Sequence, residues 1–423
     1  MDKITLPSGM RLLLEEMPQA YSCTMHLCVG AGLRYEDPAQ PGLSHMMEHM
    51  LFKGTARRRA RELAEGADDL GASVNAYTTK EYTSLFMRSL PEHTAAMMDL
   101  MGDMVCHCKL AEEDLTPEKG VVLEEFAMYE DSPEDLAFDL FYDTVWPDHL
   151  MGKNILGTRE SIAAMTQENL RRYWARFYRP ERMVLAVCGK FDPAEIRRLC
   201  ESHFSDFPDP PPPESEVSPG ECPANYCRTV RMEPKNVEQN QLILGFPGYA
   251  GADERRYRAA LLSTMLGGAS SSRLFQRLRE ELGLVYSIDF FNVHHLREGV
   301  SGVELGLSEK MQVRALEEVL RILREFPDTV TPTELRRAQE QAAAGLVMSM
   351  ESASARASRN AAAELLFGQT RTMEESIAAY RAVTLEEIRV FAREMLRPDQ
   401  FSLFMLGKGG HKTEKALRSM INA

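Results

Sequence analysis

A chain of 423 residues exceeds one ordinary domain, and 44% hydrophobic with 26% charged residues is the composition of a globular protein able to bury more than one core. A net charge of -14 argues against a surface for nucleic acid or anionic membrane, and no apolar run is long enough to span a bilayer. The eight cysteines include no CxxC pair, and the start, MDKITLPSGMRLLLEEM, has neither an apolar h-region nor a cleavage site; both point to reduced thiols in a cytoplasmic protein.

The first long predicted strand is SCTMHLCVGAG, an alternating run ending in small residues. After a loop comes GLSHMMEHMLFKGT, a helical segment that holds two of the ten histidines. Residues at i, i+3 and i+4 share a helix face, so His45, Glu48 and His49 point the same way. Two imidazoles four apart can grip one zinc ion. The carboxylate then lies beside the open coordination position, where it can take a proton from water that the metal acidifies. This H-x-x-E-H spacing is the zinc-protease arrangement in reverse order. The bland alternative is a solvated helix face, and a third protein ligand separates the two.

RARELAEGADDLGASVNAYTTKEYTSLFMRSL predicts a helix, a short turn and two strands, and PEHTAAMMDLMGDMVCHC a further helix. Cys106-His107-Cys108 reads as the end of that helix, since no second ligand pair has zinc-site spacing. In LTPEKGVVLEEFAMYEDSPED, Thr116 and Pro117 predict an N-cap and first turn. Glu118 and Glu125 lie two turns apart on one face. Glu124 and Glu125 are adjacent, so only one can point at a given site, and spacing does not choose between them.

DFPDPPPPESEVSPGECP carries four consecutive prolines and marks a linker. It sets expected boundaries at 1–208 for a zinc-bearing domain, 209–223 for the linker and 224–423 for a second domain. The second domain repeats the shape of the first. QNQLILGFPGYAG and the helical RRYRAALLSTMLGG open it, SSRLFQRLREELGLVYSIDFFNVHH follows, and EELGLVYSI can be laid against DDLGASVNAY. It has no histidines where the first has His45 and His49. The expected class is α+β: two homologous α/β-sandwich halves, each an antiparallel-rich sheet covered by helices.

Taken together, GLSHMMEHMLFKGT, ASVNAYTTKEYT, EKGVVLEEFAMYEDSPED, ILGT and SSRLFQRLREELGLVYSI occur in the order found in the pitrilysin family of zinc metallopeptidases, the inverzincins. The chain resembles that family over nearly its whole length. By size it is similar to the short, processing-peptidase-like bacterial members, in which two subunits together equal one long chain of the insulin-degrading type. The resemblance implies a fold that forms half of a clamshell and an endopeptidase acting on extended peptides inside a closed chamber. It implies one Zn2+ per chain on His45, His49 and Glu125, with Glu48 as general base and Glu118 as a supporting carboxylate that orients a ligand. It makes SVNAYTT an edge strand that accepts the peptide as an added strand, with Asn75 and Ala76 nearest the scissile bond. It also makes Arg279 and Tyr286 donors to the substrate oxyanion or main chain. A homodimer is the expected assembly and a heterodimer with a related subunit its alternative; neither nucleic acid nor membrane is an expected partner. The rival reading is a non-catalytic scaffold or partner subunit of the same fold. Such relatives tend to lose the zinc motif or the arginine–tyrosine pair, and both are kept here.

Overall fold

CTMHLCV forms a strand in which every residue is buried, because its sheet is covered on both faces. The computed structural model describes residues 1–205, 207 and 222–422. They divide into two units. In unit 1 the strands are β1 (Asp2–Thr5), β2 (Arg11–Glu16), β3 (Cys23–Val29), β4 (Ser73–Thr78), β5 (Thr83–Ser89) and β6 (Met183–Gly189). Their spatial order is β1-β2-β6-β3-β5-β4, with β2 and β6 parallel and every other neighbouring pair antiparallel.

One face of this sheet carries α1 (Leu43–Met50), α2 (Ala60–Asp69) and α3 (Thr94–Cys106). Met46, Met47 and Met50 of α1 and Met97, Met98 and Met101 of α3 are fully buried there, so unbranched thioethers fill much of the space over Met25, Leu27 and Leu85. The other face takes the helix Ala353–Phe367, whose Ala357 and Ala361 meet Leu13, Cys28, Val184 and Ala186. Polar clips hold that helix to the strands. Glu15 pairs with Arg356 and accepts from Asn360 Nδ2 at 2.8 Å, and Arg11 pairs with the buried Glu364 at 3.2 Å.

Unit 2 contains β7 (Val230–Pro234), β8 (Asn240–Pro247), β9 (Ser287–His294), β10 (Gly299–Leu307) and β11 (Ser402–Gly407), in the order β7-β11-β8-β10-β9. Only β7 and β11 run parallel. This is the order and the parallel pair of β2-β6-β3-β5-β4, so the duplication legible in the sequence is present strand for strand, with β1 added in unit 1. Leu242, Leu244, Val303 and Leu305 face the main core of this unit, while Ile243, Val300 and Phe404 face the helix Pro133–Val145. The ring of Phe141 from that helix lies where a Cβ at position 245 would be, which requires Gly245.

Two expectations are corrected. The units are not the contiguous stretches 1–208 and 224–423. Unit 1 is 1–127, 154–221 and 348–370, and unit 2 is 128–153, 222–347 and 371–423. The physical reason is that each sheet's second face is closed by a helix distant in sequence: Ala353–Phe367 in unit 1 and Pro133–Val145 in unit 2. Of the linker expected at 209–223, residues 209–221 lie outside the described residues. The second correction concerns α4 (Glu112–Asp131), which starts before Thr116 and takes Pro117 inside it. The N–H groups of Asp114 and Leu115 already bond to Ala111 O, and the acidic first turn suits the helix dipole, so the helix nucleates ahead of the proline. Among the described residues no helix is long and apolar enough to cross a membrane.

Candidate metal centre

The position of α1 is determined at its first turn. Gly42 has φ +98°, and a Cβ there would run into the main chain of Leu156. Ser161 Oγ donates to Pro41 O at 2.8 Å, so the ILGT stretch and the residues after it brace the helix start. Buried Glu36 accepts from the N–H groups of Gly42 and Ser44, both at 2.6 Å, and from the Ser44 hydroxyl. These bonds satisfy donors that a helix start leaves open. Burial pushes the Glu36 carboxyl up to about 7, against the pull of those hydrogen bonds. Ser44 Oγ lies 2.7 Å from Tyr173 OH. Sequence reasoning missed Glu36; its only signal is an acid shortly before a predicted helix start.

From this anchored helix His45 and His49 project side by side, their ring centroids 4.6 Å apart. The Nε2 atoms of His45 and His49 lie 3.6 and 3.5 Å from Glu125 Oε2 on α4. Ligand atoms of these three residues all fall within 4.8 Å of one another, a grouping that can hold a metal ion. Glu125 is the carboxylate that converges; Glu124 is exposed. Burial, with the charge of His49 adding to it, holds the His45 imidazole down to about 3, so it remains neutral, as a ligand must. His45 Nδ1 is buried and lacks a hydrogen-bond partner among the described residues. Two imidazoles and one carboxylate facing a common point fit zinc, and three protein ligands are the complement of a catalytic zinc site.

Glu118 is nearly buried, with Oε1 2.8 Å from His49 Nδ1 and Lys53 Nζ paired to its other oxygen. A proton held on Nδ1 leaves the Nε2 lone pair of His49 for a metal. Lys53 was not anticipated, although it lies one helical turn beyond His49. Glu48 shares the face of α1 with the histidines, and Thr78 Oγ1 donates to its Oε2 at 2.5 Å. Burial raises the Glu48 carboxyl above the usual range; the Thr78 bond and the charge of His49 oppose this, and Glu125 adds to it.

β4 is the edge strand of its sheet. The bond from Thr79 N–H to Tyr82 O and the pairing of Ala76 with Leu85 fix the alternation, so the main chains of Asn75 and Tyr77 face β5 while those of Val74, Ala76 and Thr78 face outward. The outward Ala76 N–H is covered by its neighbour, donating to Asn75 Oδ1 at 2.8 Å. Arg279 and Tyr286 belong to unit 2. Arg279 is exposed on the helical turn Phe275–Glu281, with its guanidinium carbon 5.0 Å from the centroid of the Phe275 ring. Tyr286 precedes β9, bonded through its N–H to Gly306 O, and its side chain is 69% exposed, so it is not a packed core ring.

Residues 11–159 match the family model described as insulinase, peptidase family M16, and residues 164–342 the one described as the peptidase M16 inactive domain. The uncharacterised zinc protease YmxG of Bacillus subtilis is 35% identical over 97% of this chain and 98% of its own length. The chain belongs to peptidase family M16. It is an M16 protein of the short bacterial type, like an uncharacterised zinc protease of Streptomyces coelicolor that is 34% identical over 93% of this chain and 87% of that one. Among solved structures, a protease from Helicobacter pylori has the same fold with a TM-score of 0.89 at 20% identity, covering 96% of this chain and 99% of that one. A peptidase M16 inactive domain structure from Pseudomonas fluorescens gives 0.87 at 20% identity, with coverage of 96% and 97%.

Proposed function

We propose that this M16 chain is a zinc-dependent endopeptidase that hydrolyses extended peptides or unfolded segments inside a closed chamber, with one zinc ion per chain on His45, His49 and Glu125. The observation that carries this reading is the convergence of those three side chains beside Glu48, which is itself hydrogen-bonded to the edge strand β4. A bound zinc ion supplies Lewis acidity that acidifies water and polarises a carbonyl. Glu48 takes the proton of the attacking water on its carboxylate and returns it to the leaving amine. The outward main chain of β4 pairs with the peptide backbone, which makes little demand on sequence. Asn75 releases the Ala76 N–H as the peptide arrives. Tyr286 and Arg279 donate to the substrate carbonyl as negative charge develops on it. The working assembly is a homodimer in the cytoplasm.

The test is metal analysis of the purified full chain, together with cleavage of an unstructured peptide with and without a chelator. The reading expects about one zinc per chain and cleavage abolished by chelator and restored by zinc. A scaffold or partner subunit of the same fold would show no cleavage under any metal condition, and that outcome would replace the proposal.

A further inference from the structure

Thr78 ends the strand that presents main chain outward, and its side chain turns in the other direction, toward the base. Its side chain is buried at 8% exposure and gives its one hydroxyl proton to Glu48 Oε2 at 2.5 Å. A carboxylate on a flexible stem transfers protons well only when its oxygens are held in place. Committing Oε2 to Thr78 fixes the plane of the group and leaves Oε1 for proton traffic. Thr78 is itself held firmly. It pairs with Thr83 across the hairpin, and Thr83 Oγ1 donates to Ala31 O at 2.9 Å. The next residue closes the turn: Thr79 Oγ1 donates to Tyr82 O at 2.9 Å and accepts from the N–H groups of Glu81 and Tyr82 at 3.2 and 3.0 Å.

We infer that Thr78 is a positioning residue for Glu48, joining the edge that receives the peptide to the group that moves the proton. The inference deepens the proposed function and rests on its assignment of Glu48 as base. Its main chain lies in the row that a docked strand would pair with, while its hydroxyl sets the carboxylate. Peptide register and base geometry therefore share one anchor.

The test uses the zinc-loaded full chain as wild type, Thr78→Val and Thr78→Ser. Valine keeps the shape and strand preference of threonine and removes the hydroxyl; serine keeps the hydroxyl. Thr78→Val is expected to lower kcat roughly tenfold to hundredfold, the range for a lost hydrogen bond to a charged group. KM should stay within about twofold and zinc content should not change. Thr78→Ser should recover most of kcat. In crystal structures, the Glu48 carboxylate should leave its wild-type orientation in Thr78→Val and keep it in Thr78→Ser. Full kcat in Thr78→Val, equal loss in both variants, or an unmoved Glu48 in Thr78→Val would each overturn the inference. If the wild type cleaves no peptide, the proposed function fails, and the orientation of Glu48 across the three structures still decides whether Thr78 positions it.

Discussion

Glu118 Oε1 lies 2.8 Å from His49 Nδ1, and Lys53 takes the other oxygen of the same carboxylate. Lys53, Glu118 and His49 thus form a three-membered chain that sets the ring orientation and proton position of one proposed ligand. Glu118→Gln should weaken zinc binding about 10–100-fold, the usual cost of losing such a partner. Lys53→Met should act in the same direction and less strongly, because Lys53 is partly exposed and water can replace part of its role. Competition for zinc against a chelator of known affinity measures both. Unchanged zinc affinity in Glu118→Gln would show that His49 needs no such support.

Glu48 is not one of the three residues grouped closely enough to hold a metal ion together. Glu48→Gln should therefore keep zinc near one ion per chain and lose nearly all peptide hydrolysis. His49→Ala should lose the metal. Peptide cleavage at the wild-type rate by Glu48→Gln would mean that another group is the base.

Glu124 and Glu125 differ by about 100° around α4, and only Glu125 reaches the histidines. Glu125→Gln should sharply reduce zinc retention after dialysis, and Glu124→Gln should leave it close to wild type. Equal loss in both variants would sink the choice of Glu125.

Local spacing made only part of the candidate site legible in sequence: His45, Glu48 and His49 lie on one helical turn, whereas Glu118 and Glu125 share the face of another helix without that spacing choosing Glu125 over Glu124, a choice that the family resemblance supplied. The duplication was also within reach, because EELGLVYSI can be laid against DDLGASVNAY, while the strand order of each unit was not. Other features depended on tertiary contacts that local pattern does not encode. The helix Ala353–Phe367 has a small-residue face that could close many sheets, and nothing in its own sequence says that it closes the sheet of unit 1. The Thr78–Glu48 bond joins residues 30 positions apart. Glu36 reads as one of many surface acids until the fold buries it under α1. Pro117 misled in the opposite way, since a strong local rule for helix starts was overridden by the turn beginning at Ala111.

His26 carries a pH dependence of its own. It is buried on β3, stacked on Phe86 with centroids 5.6 Å apart, and its Nε2 lies 2.5 Å from Ser84 Oγ. Burial holds its pKa down to about 4, against 6.5 when unconstrained. Above pH 6.5 the imidazole is neutral whether folded or unfolded, so its contribution to stability is fully present. As pH falls from 6.5 toward 4, the unfolded chain takes up a proton that the folded one refuses, and stability drops by up to something on the order of 3 kcal/mol. Metal-free wild type and His26→Gln should be compared by chemical denaturation between pH 7 and pH 4.5. The variant should show the shallower decline, since glutamine can still bond Ser84 and does not titrate. Parallel declines would assign the acid sensitivity elsewhere.

Assembly gives the most demanding prediction. One chain carries both the zinc motif and the arginine–tyrosine pair, and we propose that in a homodimer the zinc-bearing half of one subunit acts on the same peptide as Arg279 and Tyr286 of the other. Glu48→Gln and the double variant Arg279→Ala, Tyr286→Phe should then each be nearly inactive as homodimers. When the two are mixed and exchange subunits, a mixed dimer has one site with both defects and one site with neither. Random exchange makes about half of the dimers mixed, each with one working site of two, so the mixture should recover roughly a quarter of wild-type activity. Two distinguishable tags establish that exchange is complete. Complete exchange with no recovered activity would mean that each site is built from a single chain, and the shared-site homodimer would have to be abandoned.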